Sequence, residues 1–356
     1  MEEVLRDIPA GKAGTQPRFP ATRFQGSKFK LADWIWEGIK DLEFDTALDA
    51  FGGTGSIGYL LKLHHKQVTY NDLLKFNWHI GRALIENDRV VLSDDELDAL
   101  LQPYPGRFYP TFIQDTFHDI YFTDAENRWI DMVVTNIGCL TDPFRKALAF
   151  FALFQTCLAK RPFNLFHRKN LYLRFSDVPR NFGNKATWDA PCELLFRKFA
   201  SAASNAVFCN GLANTALNQD VFQIEGSFDL VYIDPPYLSG KGVGVNYYQF
   251  YHFLEGLAQY DVWGSLIDYS SKHRRLKGGD SAWIRKDSIY EAFDKLFARF
   301  QESILVVSYR ADGIPKVGEL IGLLRKYKAE VKIMERREYQ YALSGRRSGE
   351  VLFIGR

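Results

Sequence analysis

The chain has only four cysteines, Cys139, Cys157, Cys192 and Cys209, and they lie far apart with no Cys-x-x-Cys pair. That spacing argues against a zinc site and against a disulfide scaffold, so the sequence predicts reduced, mostly buried thiols. The histidines His64, His65, His167 and His252 show no ligand spacing, and no metal is expected. Long apolar runs are missing too. The most apolar stretch, Ala147 to Phe154, falls far below the ~20 residues of a membrane helix, and the N-terminus has no signal-peptide core. The expectation is a cytoplasmic protein with no membrane partner. There is no Gly-Lys-Ser/Thr, which argues against a nucleotide-phosphate loop, and there is no internal repeat or low-complexity tract. Neither sign of charge dominates: 45 Lys and Arg face 43 Asp and Glu. Any surface for a polyanion must therefore come from local clustering. What the 356 residues do have is a 46% hydrophobic content, enough for two domains or one domain with a large insertion.

The most informative stretch is Asp229 to Tyr237. Leu230-Val231-Tyr232-Ile233 reads as a buried parallel strand, and Pro235-Pro236 must end it. Proline fixes φ and donates no hydrogen bond, so the turn is stiff. It is expected to project the Asp234 carboxylate, the Pro235 carbonyl and the Tyr237 ring beyond the sheet. Two acceptors and a flat aromatic face suit a planar base bearing an amino group. The plain alternative is a proline-ended strand with a solvated Asp.

Far upstream, the strand Thr46 to Phe51 runs into Gly52-Gly53-Thr54-Gly55-Ser56-Ile57-Gly58 and then a helix. This order lets a cofactor lie against bare backbone at a helix N-terminus. A second strand, Gln67 to Asp72, ends in an acid about twenty residues after the glycines, where an acid can hold ribose hydroxyls. A dinucleotide site would share these features, but it leaves the Asp-Pro-Pro-Tyr turn without a role. Before them, Arg23-Phe24-Gln25-Gly26-Ser27-Lys28 precedes a helical pattern and offers backbone N–H groups and a cation to an anion. A further buried strand is expected over Ser303 to Ser308 and another over Val351 to Ile354, with the last strands forming an antiparallel edge.

With these motifs in this order, the chain resembles the adenine-specific DNA methyltransferases of the Dam-type arrangement: cofactor glycines, target-recognition insertion, then Asp-Pro-Pro-Tyr. The matching residues are Arg23 to Lys28, Asp49 to Gly55, Asn71-Asp72, Asn218-Gln219-Asp220, Asp234 to Tyr237 and Ser308-Tyr309-Arg310. The resemblance implies an α/β fold with a doubly wound, mostly parallel seven-stranded sheet of the class I methyltransferase type and an inserted, mainly helical recognition domain. The expected organisation is a flexible arm over 1–20, a catalytic domain over 21–84 and 206–356, and the insertion over 85–205. The implied cofactor is S-adenosyl-L-methionine and the implied reaction is methyl transfer to N6 of a flipped-out adenine. Asp234, Pro235, Pro236 and Tyr237 would be catalytic, with Tyr248 or Phe250 as further stacking rings. Cofactor contacts are expected from Arg23, Phe24, Gly26, Lys28, Asp49, Phe51, Gly53, Gly55, Asp72, Asp220 and Asp234. Within that set, Lys28 would meet the cofactor carboxylate, Asp49 its amino group, Asp72 the ribose and Asp220 the adenine. The bland alternatives are a helix cap for Asp72, a turn for Asp220 and an exposed cation for Lys28.

From Lys160 to Lys185, seven basic residues stand against Asp177, interleaved with Phe163, Phe166, Tyr172 and Phe175. Phosphates and bases are natural partners for that mixture, although a charge run can also be a solvated face. Expected DNA contacts are Arg161, Arg168, Lys169, Asn170 and Lys185, with Lys272, Arg274 and Arg275 in a second basic loop. Double-stranded DNA is the expected partner of a monomer, with a cognate restriction endonuclease acting separately. Rival readings are methylation of the cytosine amino group or of an RNA base, or a non-catalytic DNA-binding module that keeps the cofactor fold.

Overall fold

Residues Leu230–Ile233 are buried at every position, and they form the centre of a seven-stranded sheet. The computed structural model describes residues 17–176, 185–339 and 348–356. The strands are β1 (Thr46–Asp49), β2 (Gln67–Asn71), β3 (Thr215–Leu217), β4 (Leu230–Ile233), β5 (Ile304–Arg310), β6 (Val331–Tyr339) and β7 (Ser348–Gly355), in the order β3-β2-β1-β4-β5-β7-β6. β1 to β5 pair in parallel, and β7 runs antiparallel between β5 and β6. The expected mostly parallel seven-stranded sheet is therefore present. The sequence pattern did not reveal β3 or β6. β3 has only three residues, none buried, and β6 opens Val-Lys-Ile-Met-Glu-Arg-Arg-Glu, with too few apolar positions to read as a buried strand.

Alternation along the strands sorts their side chains onto two faces. Leu48, Val231, Ile233, Leu305 and Val307 share one buried cluster with Ile289, Phe293, Leu296 and Phe297. The last four stand at helical spacing in Ile289–Arg299, so one stripe of that helix covers the sheet. On the other face lies the helix Ala32–Ile39, whose Gly38 presses so closely that an added Cβ would come 2.9 Å from the ends of Leu352 and Met334. Helices thus cover both faces.

The chain divides into two compact units. The sheet unit comprises 25–81, 210–247 and 278–356. The other gathers residues 17–24 with the described residues of 82–209 and 248–277, so 248–277 clusters away from the segment in which the sequence placed it; most of the arm expected over 1–20 lies outside the described residues. Aromatic packing is the reason: Phe253 stacks on Phe166 at 5.0 Å and meets Phe117 and Trp263 edge-on. The regular elements described in this unit are helices. Its helix Pro143–Ala159 starts cleanly because Asp142 accepts the Phe144 and Arg145 N–H groups at 2.9 Å and Pro143 occupies the first turn. It is buried on all sides from Ala147 onward, as befits a central helix.

None of the four cysteines is in a disulfide, but only Cys157 is buried; Cys139 and Cys209 are exposed and Cys192 is half-buried. The expectation of mostly buried thiols was wrong. Cys139 caps a helix end and Cys209 lies in a loop, positions where no core closes over the side chain. No described helix is long and apolar enough to cross a membrane, and among the described residues no group of His, Cys, Asp and Glu is arranged to hold a metal.

Candidate active site

Strand order reverses between β1 and β4: the chain after β1 builds outward through β2 and β3, and the chain after β4 through β5. In such sheets the crevice at the carboxyl ends of the two central strands is where ligands bind. Here the turn after β1 is glycine-rich and the turn after β4 is Asp-Pro-Pro-Tyr. The strands stay in register to their ends, since Ala50 N–H donates to the Tyr232 carbonyl at 3.0 Å.

The glycine turn is held by its neighbours on β2. Gly52 N–H donates to the Asn71 carbonyl at 2.8 Å, and the Tyr70 hydroxyl donates to the Gly53 carbonyl at 2.7 Å. The buried Tyr70 ring lies so close to Gly52 that a Cβ there would overlap it. Gly53 and Gly55 have φ of +52° and +77°, and Gly55 caps the helix Ser56–Leu63 from the left-handed region that glycine adopts at no steric cost. The backbone is thus bare and fixed where a ligand would approach it.

Three acids surround this turn. Asp49, at the end of β1, is buried and accepts the Gly58 N–H at 2.9 Å. Burial pushes its carboxyl up to about 7, with the charges of Asp234 and Asp72 adding to the effect and Lys28 opposing it. Asp72 accepts N–H groups from Gly53 at 2.9 Å and Leu74 at 2.8 Å, and the Asn77 amide at 3.1 Å. Burial raises it to about 6 against those hydrogen bonds. The helix-cap alternative is thus partly right, because the Leu74 bond lies at the start of the next helix, but the Gly53 bond also ties the acid to the glycine turn.

Asp234 is the third. Burial raises it to about 6, the Lys28 ammonium pulls it down and the Glu350 charge pushes it up again. Lys28 Nζ lies 2.7 Å from each Asp234 oxygen and 3.6 Å from Glu350 Oε1, and 4.7 Å from the centre of the Tyr237 ring. The Tyr237 hydroxyl has one proton and two acceptors in reach, Glu350 Oε1 at 2.5 Å and Asp234 Oδ1 at 3.0 Å, and the Ser308 hydroxyl donates to the same Glu350 oxygen at 2.6 Å. Behind the turn, the Tyr309 hydroxyl receives the Leu238 N–H at 3.2 Å and donates to the Ile314 carbonyl at 2.6 Å. Ser27 Oγ meets Thr54 Oγ1 at 3.2 Å, which ties the Lys28 segment to the glycine turn.

Several expected placements differ. Lys28 is neither an exposed cation nor free to receive an anion, since it is buried against Asp234. The Tyr237 ring does not project from the sheet: it is 7% exposed and packs edge-on to Tyr309 at 5.0 Å. Its hydroxyl has two buried acceptors, which draws the ring inward. Asp220 is exposed and caps a short turn by accepting the Phe222 N–H at 3.0 Å. Phe51 is half-buried edge-on to Trp283 at 5.0 Å, and Gly26, at φ +89°, is covered by the Tyr247 hydroxyl. Arg23 and Phe24 belong to the other unit, where Arg23 N–H donates to Gln155 Oε1 at 2.9 Å and Phe24 stacks on Tyr251 at 4.4 Å. Tyr248 and Phe250 are in that unit as well. Glu350 and Ser308 were not read as a pair. The available signal was an acid immediately before the apolar run Val351 to Ile354.

The basic segment also needs correction. Arg161 is 1% exposed, and its guanidinium donates to the carbonyls of Leu165, Tyr121 and Arg168 at 3.2 Å and to the side chain of buried Asn170. Lys160 and Arg174 are buried on either side of Glu126, at 2.9 and 2.7 Å. Arg161, Lys160, Arg174 and Asn170 therefore serve the interior, with Lys160 and Arg174 also donating to the Trp188 carbonyl at 2.7 and 3.0 Å. Arg168, Lys169 and Lys185 are exposed, the latter two 3.0 Å from Asp119 and Asp189. Lys272 and Arg275 are exposed and Arg274 half-buried, in a loop closed by Asp268 N–H donating to the Arg275 carbonyl at 2.8 Å. Asp177 and Arg180 lie outside the described residues.

The family model for D12 class N6 adenine-specific DNA methyltransferases matches residues 24–310. The chain is 28% identical over 350 residues to the type II methyltransferase M2.HphI of Haemophilus parahaemolyticus, covering 95% of this chain and 98% of that protein. It is 26% identical to the modification methylase LlaI of Lactococcus lactis subsp. lactis, over 89% of this chain and 51% of that protein. It is 24% identical to the type II methyltransferase M.NlaIII of Neisseria lactamica, over 85% and 87% of the two chains. With most of its length matched by the family model, the chain belongs to the D12 class N6 adenine-specific DNA methyltransferases.

Proposed function

We propose that the corner after β4 is where the enzyme methylates the N6 amino group of an adenine swung out of double-stranded DNA, with S-adenosyl-L-methionine as donor. The observation that carries this reading is the reversal of strand order between β1 and β4, which gives the glycine turn and the Asp-Pro-Pro-Tyr turn adjacent strand ends. The lining suits a cationic cofactor: Asp49, Asp72, Asp234 and Glu350 are carboxyl groups, and among the groups just described Lys28 is their counter-charge. When bound, S-adenosylmethionine supplies a methyl group already activated on sulfur. Asp49, Phe51, Gly53, Gly55 and Asp72 would hold it. Asp72 Oδ1 accepts the Leu74 N–H and has acceptor capacity left for a ribose hydroxyl.

The protein's own task is to aim a weak nucleophile. An ionised Asp234 accepts hydrogen from the amino group and turns its lone pair toward the methyl carbon, and fixed positioning supplies much of the acceleration. A carboxyl that titrates near about 6 is ionised at neutral pH. A base inside a duplex cannot reach such a corner, so flipping follows from the chemistry. We assign the sheet unit to catalysis and the other unit to DNA recognition, with Arg168, Lys169, Lys185, Lys272, Arg274 and Arg275 facing phosphates. The names of the relatives, type II methyltransferases and a modification methylase, support a place in a restriction-modification system; a cytoplasmic monomer working beside a separate endonuclease is our further proposal. Incubating DNA with labelled cofactor and analysing the nucleosides tests the reading. N6-methyladenine is expected, and labelled N4-methylcytosine or unlabelled DNA would overturn it.

A further inference from the structure

Glu350 is a fully buried carboxyl group on β7, beside the apolar residues Val351, Leu352 and Phe353. A buried acid is costly unless it is paired and hydrogen-bonded, and Tyr237 and Lys28, two of its partners, belong to the Asp-Pro-Pro-Tyr corner or pair with its acid. Oε1 accepts from the Tyr237 hydroxyl at 2.5 Å and from Ser308 at 2.6 Å, and lies 3.6 Å from Lys28 Nζ. Lys28 meanwhile sits astride both Asp234 oxygens at 2.7 Å, where an incoming amino group would have to donate. A shift of roughly 1 Å toward Glu350 would bring Lys28 to charge-assisted hydrogen-bond distance there and loosen its hold on Asp234.

We propose that Glu350 is a positioning residue for methyl transfer: it anchors Tyr237 by the hydroxyl and receives Lys28 when Asp234 turns to the target amino group. The inference rests on the reading of Asp234 as the catalytic carboxylate. The charged and titratable groups around Asp234 are Lys28 before the first helix, Asp49 on β1, Tyr232 on β4, Tyr237 in the turn, Tyr309 on β5 and Glu350 on β7. Of these, Glu350 is a buried anion that also contacts both Lys28 and Tyr237.

Glu350→Gln keeps the shape and an amide oxygen for Tyr237 and Ser308 but removes the charge. In the full-length enzyme we expect kcat to fall about tenfold or more while KM for DNA and cofactor stays within about threefold. The acid limb of kcat should also move to lower pH, because the Glu350 charge raises the Asp234 carboxyl and its loss lets Asp234 ionise earlier. Glu350→Asp should recover part of kcat and return the limb toward that of the parent. A purely structural role would lower the melting temperature and leave the pH limb of the remaining folded enzyme in place, and that result overturns the proposal. If Glu350→Gln does not fold, the Glu350→Asp variant carries the test through its shorter reach to Tyr237 and Lys28, and a kcat equal to the parent's rejects the proposal. Asp234→Ala separates the two readings. If it abolishes transfer while Glu350→Gln behaves as the parent, only the role of Glu350 falls; if Asp234→Ala still methylates DNA, the site itself is misassigned.

Discussion

Lys28 Nζ stands 2.7 Å from both oxygens of Asp234, across 206 positions of sequence. The contact joins the segment before the first helix to the turn after β4, and both side chains are largely buried, at 6% and 14% exposure. Removing one partner of a buried pair leaves an uncompensated charge, so the pairing favours a closed corner until something else satisfies Asp234. An adenine amino group is a donor of the right kind, and it competes with Lys28 for the same oxygens. On the proposed reading of Asp234, the resting pair keeps the acid ionised and its release becomes a step of substrate entry.

Lys28→Met should therefore change the pH dependence as well as the rate. The Lys28 charge and hydrogen bonds lower the Asp234 carboxyl against the upward push of burial. Without them the acid titrates above about 6, and the acid limb of kcat moves to higher pH, opposite to the shift expected for Glu350→Gln. Rates measured from pH 5 to 9 at saturating DNA and cofactor check this. A limb that stays in place would mean that a different group controls it.

Cofactor binding should release protons. Asp49 and Asp72 are raised from 3.8 to about 7 and about 6, chiefly by burial. Between about pH 4 and 7 the free folded protein accordingly holds more protons than the unfolded chain. By linkage these two acids lower stability as pH rises through that window. A cation seated beside them favours the ionised forms, which expels protons and offsets the penalty. Calorimetric titration with the cofactor at pH 6.5, in two buffers of different ionisation enthalpy, should show net proton release, with affinity weakening as pH falls from 7 to 6. Proton uptake would place the positive groups of the cofactor elsewhere.

Glu126 shows what a basic run can hide. It completes a capping box with Thr123 and pairs with Lys160 and Arg174, all largely buried. Burial alone would raise its carboxyl, yet the bonds and charges of Arg174 and then Lys160 bring it down to about 2. The stabilisation is present above pH 4.5 and is lost as pH falls toward 2. Glu126→Gln should cost about 3–5 kcal/mol, since it strands two buried cations. Urea unfolding at pH 7 measures it, and a loss under about 1 kcal/mol would show that the pair is solvated.

The sequence displayed the strand-turn-helix after β1 and the stiff turn after β4 because both depend on local chemistry: glycine where φ must be positive, proline where a strand must stop. Their adjacency was legible only through the strand order that such folds impose. What stayed hidden depends on tertiary partners. Nothing local distinguishes buried Arg161 from exposed Arg168, since the difference lies in which carbonyls the fold leaves open. Likewise Tyr237 turns inward because Glu350, 113 positions away, accepts its hydroxyl. The grouping of 248–277 with 82–209 follows from aromatic contacts that have no sequence period.

Basic residues in the 272–275 loop and buried Arg161 should separate under salt. Log affinity for duplex DNA falls with log salt at about 0.9 per phosphate neutralised, so a residue facing DNA changes the slope and a residue facing the core does not. Replacing Lys272, Arg274 and Arg275 together by Ala should weaken binding and flatten the slope by about 2–3, allowing for the contact of Arg275 with Asp268 at 3.2 Å. Arg161→Ala should instead leave the slope of the folded protein unchanged and lower its stability by several kcal/mol, because three backbone carbonyls and Asn170 lose their donor. Equilibrium binding to a fixed duplex from 50 to 300 mM salt, with unfolding curves on the same samples, distinguishes the two. A reduced slope in folded Arg161→Ala would mean that the loop around Arg161 opens to meet the phosphates, and an unchanged slope in the triple variant would move the DNA surface away from residues 272–275.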